Sequence, residues 1–390
     1  MACHGQDNEA TGAAELIAER GLERLGDAVS MLINEAMRLE RERHLGVSPF
    51  ERSPERRGYA NGYKPKTVKS RIGALELAVP QVREGGFYPA SLERGLRSER
   101  ALKLALAEMY VSGVSTRKVA RVTEQLCGFE VSSSQVSRCA EALDDELTAW
   151  RERPLSAYPY VVLDARYEKM RHGGTVVDCA VLLAMGVDAE GKRELLGVSV
   201  ALSEAEVHWR AFLKDLAARG LHGVRLFVSD DHAGLKAARA AVFPAVAWQR
   251  CQFHLQQNAG HYVPTRALKK PVAADIRAIF DAPDEAEATR LIERFIRTYD
   301  AKASQLTRWA ETALPEGLAV LTLPRHHRRR LRTSNAIEVV NREIKRRTRV
   351  ATLFPNEASC LRLVTAVAME ISQDWQTGRR YLNMNEDDSE

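Results

Sequence analysis

The stretch from Tyr158 to Cys251 restricts this chain to few architectures. It opens with PYVVLDARYEKMR, a β-branched run, and continues with GTVVDCAVLLAMGVDAEGKRELLGVSVAL, two strands turning near Asp188 to Gly191. SEAEVHWRAFLKDLAARG then places apolar residues at helical spacing and stops at Gly220. VRLFVSDD is another short apolar strand, AGLKAARAAVF another helix, and AVAWQRC a last strand. A strand–helix–strand unit needs parallel strands covered on both faces, so the segment predicts a mixed α/β sheet.

Three strands, helix, strand, helix, strand is the order of a ribonuclease-H-like sheet. The flanks divide around it. Residues 1–50 read as amphipathic helices, with apolar positions between charges from Ala13 to His44, and would pack on a partner or on the rest of the protein. Residues 51–96 read as a basic extended arm followed by the alternating strand IGALELAVPQVR. Residues 97–155 read as a helix-turn-helix domain: ALKLALAEMYVSG, then STRKVARVTEQLCG behind a Ser115 cap, then VSSSQVSRCAEALDDELTAW behind a further serine. In that domain Ser133, Ser134, Gln135 and Arg138 would face a DNA groove. The sheet domain spans 156–254 and resumes at 326–380. Between them, 255–325 reads as a helical insertion broken near Pro264, Pro271, Pro283 and Pro315, and 381–390 as an acidic flexible tail.

No apolar run approaches the ~20 residues needed to span a bilayer, and no signal-peptide pattern opens the chain. The six cysteines are scattered without a Cys-x-x-Cys pair, which predicts a reducing, cytoplasmic setting. Net charge is only +5, but it is unevenly placed. Arg325 to Arg349 holds ten Arg or Lys against Glu338 and Glu343, and Ala36 to Arg71 holds ten against four. Two separated basic zones predict a phosphate backbone held at defined places, hence a nucleoid-associated protein when bound. In the second zone Arg328, Arg329, Arg330, Arg342, Lys345, Arg346 and Arg347 are the candidate contacts.

Asp164 and Asp230 follow the apolar runs YVVL and LFVS, and ligands of open α/β sheets collect at the carboxyl ends of strands. Two such anions side by side repel, and Mg²⁺ or Mn²⁺, with a preference for hard oxygen ligands, would reverse that cost. In SDDHAGLK either Asp230 or Asp231 could instead cap the following helix, so spacing leaves that choice open. Glu338 has capping-box spacing from Asn335. At about 100° per residue, though, Ile337, Val340 and Ile344 form the buried stripe of its helix, and Glu338, Asn341, Arg342 and Lys345 share the flank. A carboxylate there can reach a metal while the cations hold phosphates. Cys251-x-x-His254 is half a zinc site with no matching pair, so a packing or substrate-positioning role beside the carboxylates is expected.

Taken together, LDARYEKMR, RGLHGVRLFVSDDHAGLKAA, FPAVAWQRCQFHLQQN and RTSNAIEVVNREIKRRTRVATLFPNEASCLRLV resemble the mutator-type DDE transposases of bacterial insertion sequences. The likeness extends from about Arg57 to Trp375. It implies a catalytic domain split by an all-helical insertion, with Asp164, Asp230 and Glu338 as catalytic residues and ligands of two Mg²⁺ (or Mn²⁺) ions. The Ser-Asp-x-His-x-Gly-Leu context matches Asp230 rather than Asp231, and Cys251 and His254 match the family's Cys-x-x-His. Ser334 stands where Thr is more usual, and Asp231 adds a carboxylate. The resemblance further implies binding of double-stranded DNA at terminal inverted repeats and target, hydrolysis to a 3′-OH followed by strand transfer, and at least a homodimer, with the amphipathic helices of residues 1–50, near Ala13 to His44, as candidate dimer contacts. The alternative is an inactive DNA-binding regulator on the same scaffold, which should have lost a carboxylate.

Overall fold

The computed structural model describes residues 9–83, 86–349 and 353–384, and the chain falls into two compact units, 1–143 and 144–390.

In the first unit, α1 (Glu9–Arg20) and α2 (Leu25–Leu45) are joined by a 3₁₀ turn, and β1 (Ala60–Ser70) pairs antiparallel with β2 (Gly73–Val82). Met37 of α2, flanked by Val29 and Ile33, packs on Val68, Leu75, Leu77 and Val79 of the hairpin. One apolar face of α2 therefore covers the chain's own sheet, while Leu32 and Leu39 of the same helix stay exposed. The segment expected as an arm is in part a strand. YKPKTVKS carries its alternation in long cations, and Pro65 is tolerated because β1 has a free edge in a two-stranded sheet. Arg41 is buried and donates to the Gly62 carbonyl and the Tyr63 hydroxyl, and Arg38 is paired with Glu35 and Glu42. Part of the first basic zone is thus internal.

Three short helices follow: α3 (Arg100–Val111), α4 (Thr116–Cys127) and α5 (Ser133–Glu141), packed through Leu102, Leu106, Val119, Val131 and Val136. Ser115 caps α4 by accepting from Lys118 N at 3.2 Å, and Gly128 ends it with φ of 71°. Ser132 and Gln135 form a reciprocal capping box at the start of α5. Gln135, expected in a groove, is therefore engaged in holding its own helix, whereas Ser133, Ser134 and Arg138 are exposed.

The second unit begins with α6 (Asp144–Glu152), expected with the helix-turn-helix segment. It is tied instead to the C-terminal helix by Arg362, which donates to both Asp144 oxygens at 2.6 and 2.7 Å. The sheet contains β3 (Tyr160–His172), β4 (Thr175–Val187), β5 (Arg193–Ala201), β6 (Leu226–Ser229) and β7 (Ala247–Arg250), in the order β5-β4-β3-β6-β7. β3, β4 and β5 are antiparallel; β3, β6 and β7 are parallel. The crossovers are α7 (Glu206–Ala218) and α8 (Ala233–Val242), whose Trp209, Phe212, Leu213 and Leu235 cover one face.

Gly234 lets α8 start directly under the loop into α7. A Cβ there would lie 2.3 Å from the Glu204 carbonyl oxygen, so the backbone would have to move. Gly234→Ala is expected to lower stability by about 2 kcal/mol, read as a lower thermal midpoint of the whole chain.

The insertion contains α9 (Gln252–Ala259), α10 (Arg266–Phe280), α11 (Glu285–Tyr299) and α12 (Ser304–Ala313), with a core of its own that includes Ile276, Phe295 and Leu306. Pro264, Pro283 and Pro315 fall at helix ends, but Pro271 sits inside α10. It forfeits one backbone hydrogen bond near the amino end, where packing of Val272 and Ile276 outweighs the loss. The chain then forms α13 (Arg325–Leu331), α14 (Asn335–Thr348) and α15 (Glu357–Thr377), the last two covering the other face of the sheet. Tyr381 and Leu382, expected in a loose tail, donate their N–H groups to Gly191 O at 2.8 and 3.0 Å, and the acidic residues 385–390 lie outside the described residues. Among the described residues no helix is long and apolar enough to cross a membrane, and Cys127, Cys139, Cys179, Cys251 and Cys360 are free thiols, whereas Cys3 lies outside them.

Candidate active site

Parallel pairing of β3 with β6 ends at Val162 opposite Val228. Asp164 and Asp230 each lie two residues further on, so period-two alternation carries both to the same face at the same level. Asp164 is not at a strand end as expected. β3 runs on to His172 because β4 pairs with it throughout, while β6 stops at Ser229. The aspartate lies where the shorter neighbour gives out.

Asp164 Oδ1 accepts from its neighbour's amide, Ala165 N, at 2.9 Å, and Oδ2 from Asn341 Nδ2 at 2.6 Å. Burial, then the proximity of Asp230 and more weakly Glu338, push its carboxyl up to about 7. The Asp230 carboxylate has no hydrogen bond or ion pair among the described residues. Asp231 is committed elsewhere: its carboxylate meets Arg250 at 2.9 Å and Lys236 at 3.1 Å, in a network completed by Glu316. Of the two aspartates that spacing could not separate, only Asp230 is free to act on a ligand.

Ile337, Val340 and Ile344 are fully buried, as the helical wheel predicts, and hold α14 on the sheet. Glu338 emerges beside them half-buried and accepts from Ser334 Oγ at 3.4 Å. The capping box expected from Asn335 does not form, because the helix starts there and Ser334 precedes it. Three residues beyond Glu338, Asn341 connects α14 to β3 twice. Its side chain holds Asp164, and its carbonyl accepts from Arg166 Nη1 at 2.5 Å. Its Oδ1 is buried with no hydrogen-bond partner among the described residues.

Cys251 follows β7 and is fully buried, with Ser334 N and Oγ each at 3.4 Å from its sulfur. Burial favours the thiol, but His254 and Ser334 together pull its pKa below the ordinary value. The Cys251 side chain, aided by Glu338 and Asp230, pushes the His254 imidazole up to about 9 against the effect of burial. Asp230 and Glu338 thus favour the protonated form of His254. Glu204, which sequence pattern alone does not single out, is raised by burial; His232, with Nδ1 at 3.8 Å, lowers it and Asp230 raises it. Its signal was slight, a carboxylate in SEAE just before α7. Among the described residues no three His, Cys, Asp or Glu side chains are gathered tightly enough to grip a metal as they stand.

The basic zone separates into two sets. Arg347 is buried and bonded to Glu343 and both oxygens of Glu370, so it is structural rather than a DNA contact. Arg328 ties α13 to the insertion through the Leu323 and Pro283 carbonyls, at 2.8 and 2.7 Å. Arg346 is exposed but paired with Glu343, and Arg330 lies 5.3 Å over the Tyr381 ring. Arg329, Arg342 and Lys345 are exposed and make no side-chain ion pair or hydrogen bond among the described residues.

Residues 4–378 match the family model described as Transposase, Mutator family. The transposase for insertion sequence element IS406 of Burkholderia multivorans is 55% identical over 387 residues, covering 99% of this chain and 100% of that protein. The transposase for ISRM5 of Rhizobium meliloti is 43% identical, covering 93% and 91%, and that for IS256 in transposon Tn4001 of Staphylococcus aureus is 35% identical, covering 92% of each. Matched to that family model across nearly its whole length, the chain belongs to the Mutator family of transposases.

Proposed function

We propose that this transposase is of the Asp-Asp-Glu type: it cleaves DNA at the ends of its insertion sequence and joins them to a target, through Asp164, Asp230 and Glu338. The observation that carries the proposal is the register that sets Asp164 and Asp230 at one level on one face of the sheet, with Asn341 of the Glu338 helix bonded to Asp164 at 2.6 Å; burial and the two other carboxylates push Asp164 up to about 7. Such a site favours a cation. The donor chemistry fits a hard divalent ion, with three carboxylates and, beside them, the buried unpartnered Oδ1 of Asn341. Two Mg²⁺ or Mn²⁺ ions held there would activate the attacking oxygen and stabilise the leaving one.

The chain's own groups divide the remaining work. Asn341 keeps the Asp164 carboxylate aimed and joins it to the helix that carries Glu338. The charged His254 offsets the negative charge of Asp230 and Glu338 before substrate arrives. Arg329, Arg342 and Lys345 hold phosphates next to the cut. The sheet order supports a ribonuclease-H-like fold for the catalytic unit, and α4 with α5 support a helix-turn-helix reading the terminal repeats through Ser133, Ser134 and Arg138. Water attacks first and leaves a 3′-OH, which then attacks the second strand, so no covalent protein–DNA intermediate is needed. Because two ends must meet, the acting species is at least a homodimer.

Glu338→Gln tests the proposal. Strand transfer is expected to fall by about 10³-fold or more, with binding to the element ends nearly unchanged. Retained activity would exclude the three-carboxylate site. Lys345→Ala should weaken DNA binding without regard to sequence and lower the salt slope by about one, as an unpaired phosphate contact must. Arg347→Ala should instead lower the thermal midpoint.

A further inference from the structure

We propose that the cavity beside Phe253 receives a single nucleobase, unpaired from the DNA next to the point of cleavage. The proposal rests on the DNA-cleaving function above and adds a binding site to it.

Helix α9 buries Leu255 and Ala259 in the insertion core but leaves Phe253 56% exposed. An aromatic ring of that size in water loses most of its burial energy. It borders a cavity of about 520 Å³ whose inner wall is apolar, Val272 and Ile276, and whose rim carries Gln256, Gln257 and Lys269. That composition suits a base. A ring face stacks on any base, amides reach its polar edge, and a lysine with no ion pair among the described residues meets the attached phosphate. The lining includes no carboxylate, and Arg266 and Lys270 on the same helix add positive charge, so nucleic acid is favoured over an acidic or neutral ligand.

Position favours a base over a protein segment. The Phe253 ring meets His254 edge-on, centroids 5.4 Å apart. Phe253 lies two residues after Cys251, whose N–H donates to Ser229 O at 2.7 Å just before Asp230 and whose sulfur meets the Ser334 hydroxyl that also donates to Glu338 at 3.4 Å. A nucleotide bound at Phe253 is therefore adjacent to the carboxylates. Unstacking a terminal base costs little, and holding it aside would expose the phosphodiester to attack.

The test uses the full chain and two duplexes, one blunt and one ending in about three unpaired nucleotides, the last of them 2-aminopurine. The wild-type chain should prefer the unpaired end and quench the probe by stacking. Phe253→Ala should lose that preference by about tenfold and leave the probe bright, with blunt-end affinity unchanged, while Phe253→Trp should retain both. If Phe253→Ala binds and quenches like the wild type, or if a neutral apolar peptide displaces the probe and DNA does not, the base site is wrong. Asp164→Asn should keep the preference for unpaired ends. An Asp164→Asn chain that still cleaves would overturn the carboxylate mechanism and leave the base site standing.

Discussion

Asp164→Asn is expected to end DNA cleavage and, at the same time, to make the metal-free protein more stable at alkaline pH. The sign follows from the direction of its pKa shift. In the folded chain the carboxyl titrates at about 7 instead of 3.8, so the native state holds a proton that the unfolded chain has already lost between those values. Below about pH 4 both states are protonated and the substitution gains nothing. The gain grows through the interval and is complete above about pH 7. Unrelieved, it would approach ~4 kcal/mol. An Asn that keeps its bond to Asn341 only in part should show about half of that. Thermal melts at several pH values give the profile, and a variant that is dead and destabilised at pH 8 would mean that Asp164 is not strained by its neighbours. Active sites that gain stability when disarmed are those in which like charges are held together for a ligand.

The second large effect separates two adjacent residues. Asp230→Asn should reduce strand transfer by about 10³-fold or more, since its carboxylate is uncommitted and faces Asp164. Asp231→Asn should leave strand transfer within about threefold of the wild type and cost about 1–2 kcal/mol of stability, because Arg250 loses one of its two acidic partners and keeps Glu316. A single-turnover cleavage assay with a melt of each variant measures both. The reversed pattern, an active Asp230→Asn and an inactive Asp231→Asn, would move the site by one residue.

Why Asp230 and Asp231 could not be told apart from spacing is now clear in physical terms. Both follow the same apolar run, and what distinguishes them is Arg250, twenty residues away on a neighbouring strand, and Glu316 in the insertion. Local pattern carried the strand order, the hairpin turn at Asp188 to Gly191, and the stripe that sets α14 on the sheet, because each depends on periodicity alone. It failed where a residue's partner is distant or where two signals compete. Asn341 could be placed on the correct flank, but nothing in its spacing shows an amide 2.6 Å from a carboxylate 177 positions earlier.

Other differences were legible and were outweighed. Arg347 lies three residues beyond Ile344 and seven beyond Val340, on the buried stripe itself. Its position in a run of cations nevertheless suggested solvent, and its burial is offset by Glu343 together with Glu370. Gln135 stands three residues after Ser132, a capping-box spacing that took precedence over any contact with a groove. The first strand of the hairpin was hidden because a two-stranded sheet solvates one face and one edge, so YKPKTVKS reads as an arm while it pairs in full register with β2.

The central claim is that Asp164, Asp230 and Glu338 share divalent cations while acting on DNA. Anomalous scattering from Mn²⁺ in crystals of the DNA-bound chain tests it most directly. The claim predicts manganese peaks with oxygen from all three carboxylates within coordination distance. Manganese held without Glu338, or at Cys251 and His254 instead, would contradict it.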